Sequence, residues 1–356
     1  MRFVHDTLPQ RIRFASGEAA AQLAAETTER GYARIMVIAA ESEKDLARRV
    51  AGALPVAVWH HEVAQHVPAP VANRARETAA GHDVDALVSV GGGSTTGLAK
   101  AVALTTGLPI IAVPTTYAGS EATDVWGLTD ANRKTTGTDA RVLPRTVVYD
   151  ASLTLTLPVG LSMTSGLNAL AHCVDALWAP RANPVNAALA GEGIRALGAG
   201  LRRVAGDPAG LPGREQALYG AYLSAVAFAS AGSGLHHKIC HVLGGMFGLP
   251  HAETHAVVLP HVLALNAPAA PDAEHRISAA LNAPSAIAGL AKLRAELAAP
   301  IALRDYGMPE AGIGRAAEAV LSVVPPGNPA PLDAGTLTTL LRAAWAGTEE
   351  IPYAHG

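Results

Sequence analysis

The sequence predicts two architectures in series: an α/β, Rossmann-like dinucleotide-binding domain over residues 1–157 and an all-α domain over residues 158–356. Three observations carry this. Short Val- and Ile-rich runs alternate with helical stretches in the first 150 residues, the pattern of a parallel sheet covered on both faces. A glycine run, Gly91-Gly92-Gly93, joins one such run to a helical stretch. After Leu157-Pro158 the chain turns Ala- and Leu-rich, with helical spacing and no convincing β runs.

Taken in order, residues 34–40, 55–59, 85–90 and 109–113 are the β-rich runs. Helices are expected over about 70–80 and from the glycine run to about residue 105. Residues 125–150, which include Thr146-Val147-Val148-Tyr149, read as a hairpin on the same sheet. Beyond a hinge near residues 157–162, Pro180, Pro184, Pro212, Pro250, Pro300, Pro309 and Pro325-Pro326 cut the chain into about eight helices.

Composition narrows the function classes. Of 356 residues, 49% are hydrophobic and 16% charged, so the chain can bury a core and is not disordered. Two cysteines staple no scaffold, and reduced thiols are the simpler reading. Lys and Arg total 27 against 30 Asp and Glu, with no basic stripe, so no nucleic-acid partner is expected. No apolar run reaches the ~18 residues of a membrane span. The start, Met1-Arg2-Phe3-Val4-His5-Asp6, has no signal-peptide core. A soluble, cytoplasmic globular protein is expected.

The glycine run is strand, turn, then helix. Glycines let a phosphate approach main-chain N–H groups with no Cβ in the way, and the helix start offers unsatisfied donors and partial positive charge. Ser94 could cap that helix or donate its hydroxyl to a phosphate. Alone, the run also fits an ordinary βα turn: it reads GGGSTTG where GxGxxG is usual, on about the third strand.

Histidines supply the second signal. Six of the chain's 14 (His236, His237, His241, His251, His255 and His261) fall in one short stretch. His237 with His241, His251 with His255, and Asn168 with His172 have i, i+4 spacing, which puts each pair on one helix face. Facing helices that each offer an imidazole can build a polar or metal-binding site. Cys173 and Cys240 are expected to point about 100° away as small buried hydrophobes.

Together, residues 91–100 (GGGSTTGLAK), 114–121 (PTTYAGSE), 166–176 (GLNALAHCVDA), 236–245 (HHKICHVLGG), 249–262 (LPHAETHAVVLPHV) and Asn328-Pro329 resemble the iron-containing alcohol dehydrogenase superfamily. The likeness runs from about Arg11 to Gly347. It implies a dehydroquinate synthase-like fold, a homodimer, and an active site in the cleft between the domains. Position by position, it implies that Gly91, Gly92, Gly93 and Ser94, with Thr95, hold the cofactor pyrophosphate. Thr115, Thr116 and Tyr117 would lie near the nicotinamide. The superfamily's metal ligands, one Asp and three His, match Asn168, His172, His237 and His251, and His241 matches a histidine beside the nicotinamide.

Two departures matter. The ligand carboxylate is Asn168, and the Asp that often follows the glycine run is Gly97. An amide brings no negative charge to a cation, so no metal is expected to be required. Both departures, with Tyr117, Trp126-Gly127 and residues 142–150, resemble the maleylacetate reductase branch. That branch implies reduction of a carbon–carbon double bond in a small dicarboxylate, with NADH or NADPH, during aromatic degradation.

The lost ligand then becomes intelligible. A ketone being reduced gathers charge on one oxygen, which a Lewis acid stabilises. Hydride addition β to a ketone instead gives a delocalised enolate, which hydrogen-bond donors can stabilise. His172, His237 and His251 are expected to bind the keto oxygen and carboxylates, with His241 as candidate acid through an imidazolium. Lys238, Arg141 and Arg145 are candidate cations for the carboxylates, and Glu41 a candidate for the cofactor ribose. The rival readings are a metal-dependent alcohol dehydrogenase and a non-catalytic NAD(H)-binding module.

Overall fold

The structure is a computed structural model that describes residues 2–130 and 133–348. The chain forms two compact units. One comprises Thr7–Leu157 with Ala209–Leu218; the other comprises Pro158–Pro208 and the residues from Tyr219 onward, with a short N-terminal piece ending at Asp6.

The first unit holds strands β1 (Arg11–Phe14), β2 (Ile35–Ile38), β3 (Val56–His60), β4 (Ala86–Gly91), β5 (Ile110–Pro114), β6 (Val125–Asp130), β7 (Arg133–Thr138) and β8 (Thr146–Tyr149). Six of them form a parallel sheet in the order β1-β8-β5-β4-β2-β3. Its residues alternate between two covered faces. Ile35, Val37, Val88, Val90 and Ile111 pack with α1 (Ala19–Arg30) and α2 (Lys44–Ala51). Met36, Ile38, Leu87 and Ile110 pack with α3 (Ala69–Gly81) and α4 (Gly93–Thr106). Burial on both sides is why these strands read as continuous apolar runs.

Two sequence expectations change here. The glycine run follows the fourth strand, because the short, half-exposed β1 has too little apolar character to stand out. The hairpin is β6 with β7, a separate antiparallel pair, whereas Thr146–Tyr149 joins the main sheet in parallel between β1 and β5. All four β8 residues are buried, which a main-sheet position provides. The hairpin is anchored from beneath by Lys100 on α4. Its buried ammonium donates to Thr123 O (2.8 Å), Thr123 Oγ1 (3.1 Å) and Val125 O (2.8 Å).

Glu26 on α1 ties the edge of the sheet together. It is fully buried and accepts hydrogen bonds from Thr146 Oγ1 (2.7 Å), Arg30 Nε (2.8 Å), Arg13 Nε (2.9 Å) and Arg11 Nη1 (3.0 Å). Burial pushes its carboxyl up, but the hydroxyl and three guanidinium groups outweigh that and hold its pKa at about 2. A folded value below the ordinary one means that this stabilisation is complete above about pH 4.5 and is lost as pH falls toward 2. Glu26→Gln is expected to flatten the dependence of the urea midpoint on pH across that window. A variant whose midpoint falls with acid as steeply as the wild type's would contradict it.

The second unit is helical, with α5 (Val159–Ala176), α6 (Pro184–Gly206), α7 (Leu211–Ala231), α8 (Leu235–Phe247), α9 (His251–Asn266), α10 (Pro271–Leu281), α11 (Ala286–Glu296), α12 (Ile313–Val323) and α13 (Ala334–Ala346). That is nine helices among the described residues, where proline punctuation suggested about eight. Pro184, Pro212 and Pro271 lie in the first turns of their helices, where no N–H is needed, and Pro260 lies within α9. The first residues of α7 group with the α/β unit. There the buried Arg214 donates to Tyr117 Oη and Leu157 O (both 3.3 Å), and Glu215 accepts from Ser16 Oγ at 2.7 Å. Helix α5 is buried from Ser162 to Ala176, as expected of a helix apolar on all sides. Among the described residues, no helix is long and apolar enough to cross a membrane.

Candidate functional site

In the parallel sheet the connections leave β4 and β2 toward opposite edges, so the carboxyl end of β4 lies at a topological switch point, where such sheets bind ligands. Register pairs Gly91 with Pro114 there, which brings the glycine run and the Thr115-Thr116-Tyr117 loop to one level. Gly91 has φ +152°, and a Cβ on it would collide with Glu43 and lie 2.5 Å from Thr95 Oγ1. Glycine is required at this position. At Gly92 a Cβ would sit 3.0 Å from the Thr116 methyl, and at Gly93 3.3 Å from Ala118 Cβ.

Helix α4 opens with Gly92 as its N-cap and no side-chain cap, so Ser94 does not cap it as one reading had allowed. Ser94 falls in the first turn instead. The N–H groups of that turn have no carbonyl within the helix to bond, which suits a phosphate. Thr95 is buried beneath them.

Thr115 Oγ1 donates to Glu43 Oε1 at 2.6 Å. Burial pushes the Glu43 carboxyl up, against the Thr115 hydroxyl bond. Sequence reasoning missed Glu43, since nothing in its local pattern separates it from Glu41. Glu41 itself is exposed and pairs with Lys44 Nζ at 2.9 Å. Tyr117 is fully buried, with its hydroxyl on Arg214.

In the helical unit the histidines converge. Asn168 and His172 lie one turn apart on buried α5. The His172 and His237 rings stack at 4.9 Å (17° between planes), with Phe228 at 4.8 and 4.2 Å from them as an apolar wall. His241 lies 6.2 Å from His237, and both His241 and His251 are exposed. His251 adjoins the group through His255, 4.4 Å away. Asn168, His172, His237, His241 and His251 therefore fall in one neighbourhood with His236 and His255, whereas His261 lies apart, beside Arg294.

Asp175 was missed in this neighbourhood, while His236 and His255 were counted in the histidine cluster and given no role. Asp175 is fully buried and accepts from His237 Nδ1 (2.8 Å), Gly234 N (2.7 Å) and Trp178 Nε1 (3.3 Å). That leaves His237 Nε2 as the other ring nitrogen, the arrangement by which a carboxylate orients a working imidazole. A Cβ on Gly234 would approach Asp175 Oδ1 to 2.6 Å, so glycine permits the contact. The i, i+3 spacing of Asp175 from His172 was the available signal. His236 Nε2 lies 2.9 Å from His255 Nδ1, and Cys240 Sγ lies 3.7 Å from the same His236 nitrogen. Cys240 is therefore buried but not purely apolar in its contacts, because i, i+4 spacing places it beside His236.

Asn168 Oδ1, His172 Nδ1, His237 Nε2 and His255 Nε2 are buried without hydrogen-bond partners among the described residues. Buried polar atoms are costly unless something binds them, so the cluster is built to receive a polar group. Burial, followed by the neighbouring imidazoles, holds His172, His237 and His255 well below the usual imidazole range. These rings act as neutral donors or acceptors. Among the candidate cations, Lys238 is half-buried on α8, Arg145 is exposed, and Arg141 is tied to Asp139 at 2.7 Å.

Residues 9–151 match the iron-containing alcohol dehydrogenase family, and residues 162–345 match the C-terminal domain of the Fe-containing alcohol dehydrogenase family. The chain is 45% identical to the maleylacetate reductase of Pseudomonas sp. (strain P51) over 99% of this chain and 100% of that one. It is 45% identical to that of Burkholderia cepacia over 97% and 98%. Among solved structures, an iron-containing alcohol dehydrogenase from Corynebacterium glutamicum superposes with TM-score 0.96 at 57% identity, covering 98% of each chain. Maleylacetate reductase from Rhizobium sp. strain MTP-10005 does so with TM-score 0.92 at 41% identity, covering 98% and 99%. The chain belongs to the iron-containing alcohol dehydrogenase family, on its maleylacetate reductase branch.

Proposed function

We propose that the enzyme reduces the carbon–carbon double bond of maleylacetate to give 3-oxoadipate, using NADH or NADPH, and that it needs no metal. The observation that carries this is the buried Asn168 among imidazoles, where the resemblance implies a ligand carboxylate. The donor set does not fit the family's iron: three imidazoles and an amide are all neutral, so a divalent ion would enter without an anionic ligand. An enolate needs donors more than it needs a Lewis acid. The bare first turn of α4 and the glycine run are suited to the cofactor pyrophosphate, with Thr115 and Thr116 beside them.

When bound, the dihydronicotinamide supplies a hydride to the carbon β to the ketone. His172, His237 and His251 bind the keto oxygen and carboxylates, with Asp175 orienting His237. His241 protonates the α carbon; being exposed, it can regain its proton from water. Cytoplasmic residence and a homodimer complete the reading, the former supported by the free thiols of Cys173 and Cys240.

A second reading, a metal-dependent alcohol dehydrogenase, draws on the three imidazoles and on the name of the Corynebacterium relative. One assay separates them: NADH oxidation with freshly made maleylacetate, before and after exhaustive chelation. Turnover is expected in both conditions. Activity abolished by the chelator and restored by zinc or iron would overturn the metal-free reading, and activity on short alcohols alone would overturn the substrate.

A further inference from the structure

His255 has no part in the assignments above, yet it is the innermost member of the cluster. It is fully buried, one turn beyond His251 on α9. Its ring centroid lies 4.4 Å from that of His251, 4.9 Å from those of His237 and His236, and 6.5 Å from that of His172. Nδ1 is taken by His236 Nε2 at 2.9 Å. Nε2 faces away from that contact and has no hydrogen-bond partner among the described residues. A leucine would fill the same space with no unmet polar atom, so packing alone does not account for an imidazole here.

We infer that His255 is a further substrate-binding residue, its Nε2–H donating to an oxygen of the dicarboxylate substrate, and that His236 positions it. This rests on the maleylacetate reading. A neutral imidazole carries one proton, so the His236–His255 contact couples the two tautomers. If the shared proton sits on His236 Nε2, the His255 proton must sit on Nε2, making that atom a donor. If it sits on His255 Nδ1, Nε2 becomes an acceptor. Carboxylates and a keto oxygen offer acceptors only, so substrate selects the first arrangement. No net charge is created in the buried cluster, which suits its low polarity.

The test is steady-state kinetics with maleylacetate and NADH on wild type, His255→Leu and His255→Gln, with folding checked by circular dichroism. His255→Leu is expected to lower kcat/KM about 10–100-fold through KM, with NADH affinity unchanged. His255→Gln, which keeps an N–H donor, is expected to recover much of the loss. Ring ¹⁵N shifts in wild type should show His255 protonated at Nε2 when 3-oxoadipate is bound, and His236→Leu should shift that tautomer balance. A folded His255→Leu enzyme with wild-type kinetics overturns the inference while leaving the functional reading intact. Should His255→Leu not fold, an unprotonated Nε2 in the wild-type spectrum overturns it instead. His236, His255 and Cys240 each offer one ligand atom within 4.8 Å of the others, a set that would also suit zinc. Zinc that copurifies with wild type and is lost in Cys240→Ser would also overturn it, since both imidazoles would then be ligands. Wild-type enzyme inert toward maleylacetate would sink the functional reading and this inference together.

Discussion

His237→Ala is expected to lower kcat for maleylacetate by about 10²–10⁴-fold while NADH still binds normally. Two losses combine. The substrate loses a buried imidazole that faces the site through Nε2, in a region walled by Phe228 where each hydrogen bond counts for more than in water. Asp175 also loses the ring N–H of His237, leaving its buried carboxylate on backbone N–H groups and Trp178 Nε1. That second loss is expected to destabilise the fold by about 1–3 kcal/mol. Stopped-flow measurement of NADH consumption by folded variant, beside a fluorescence titration of NADH, separates the two. A folded variant that retains more than a tenth of wild-type turnover would remove His237 from the chemistry.

Gly91→Ala is expected to cost about 2–4 kcal/mol of stability and to raise the NADH dissociation constant at least about tenfold. The positive φ strains any L side chain, and the added methyl meets the Glu43 carboxylate and Thr95 at once. Neither neighbour can yield cheaply. Glu43 is held by Thr115, and Thr95 is buried in the first turn of α4, whose N–H groups have no carbonyl within the helix to bond. The damage should therefore fall on cofactor binding as well as on folding. Thermal melts with and without NADH check this; a variant stabilised by NADH as strongly as wild type would show that the turn plays no part in binding it.

Local pattern was enough wherever one element served one purpose. Residues 85–90, the glycine run and the following helix read clearly because a doubly covered strand must be apolar along its whole length. The Asn168–His172, His237–His241 and His251–His255 pairs were legible because helical spacing makes residues four apart share a face. The hairpin was misassigned because Thr146–Tyr149 has the same β character in either partnership. Which strand pairs with it depends on burial from elsewhere in the chain.

Side-chain roles divide the same way. Asp175 and Glu43 look like any acidic residues on a helix or turn, and only their long-range partners, His237 with Gly234 and Thr115 respectively, give them meaning. Sequence by itself determined the two-part architecture, the glycine turn between strand and helix, the family and the amide at position 168, since these rest on residue type at fixed spacing. Tertiary structure alone decided which nitrogens are oriented, which are left unbonded, and which rings stay neutral. Those properties come from distances and burial between helices far apart in the chain, and no local pattern encodes them.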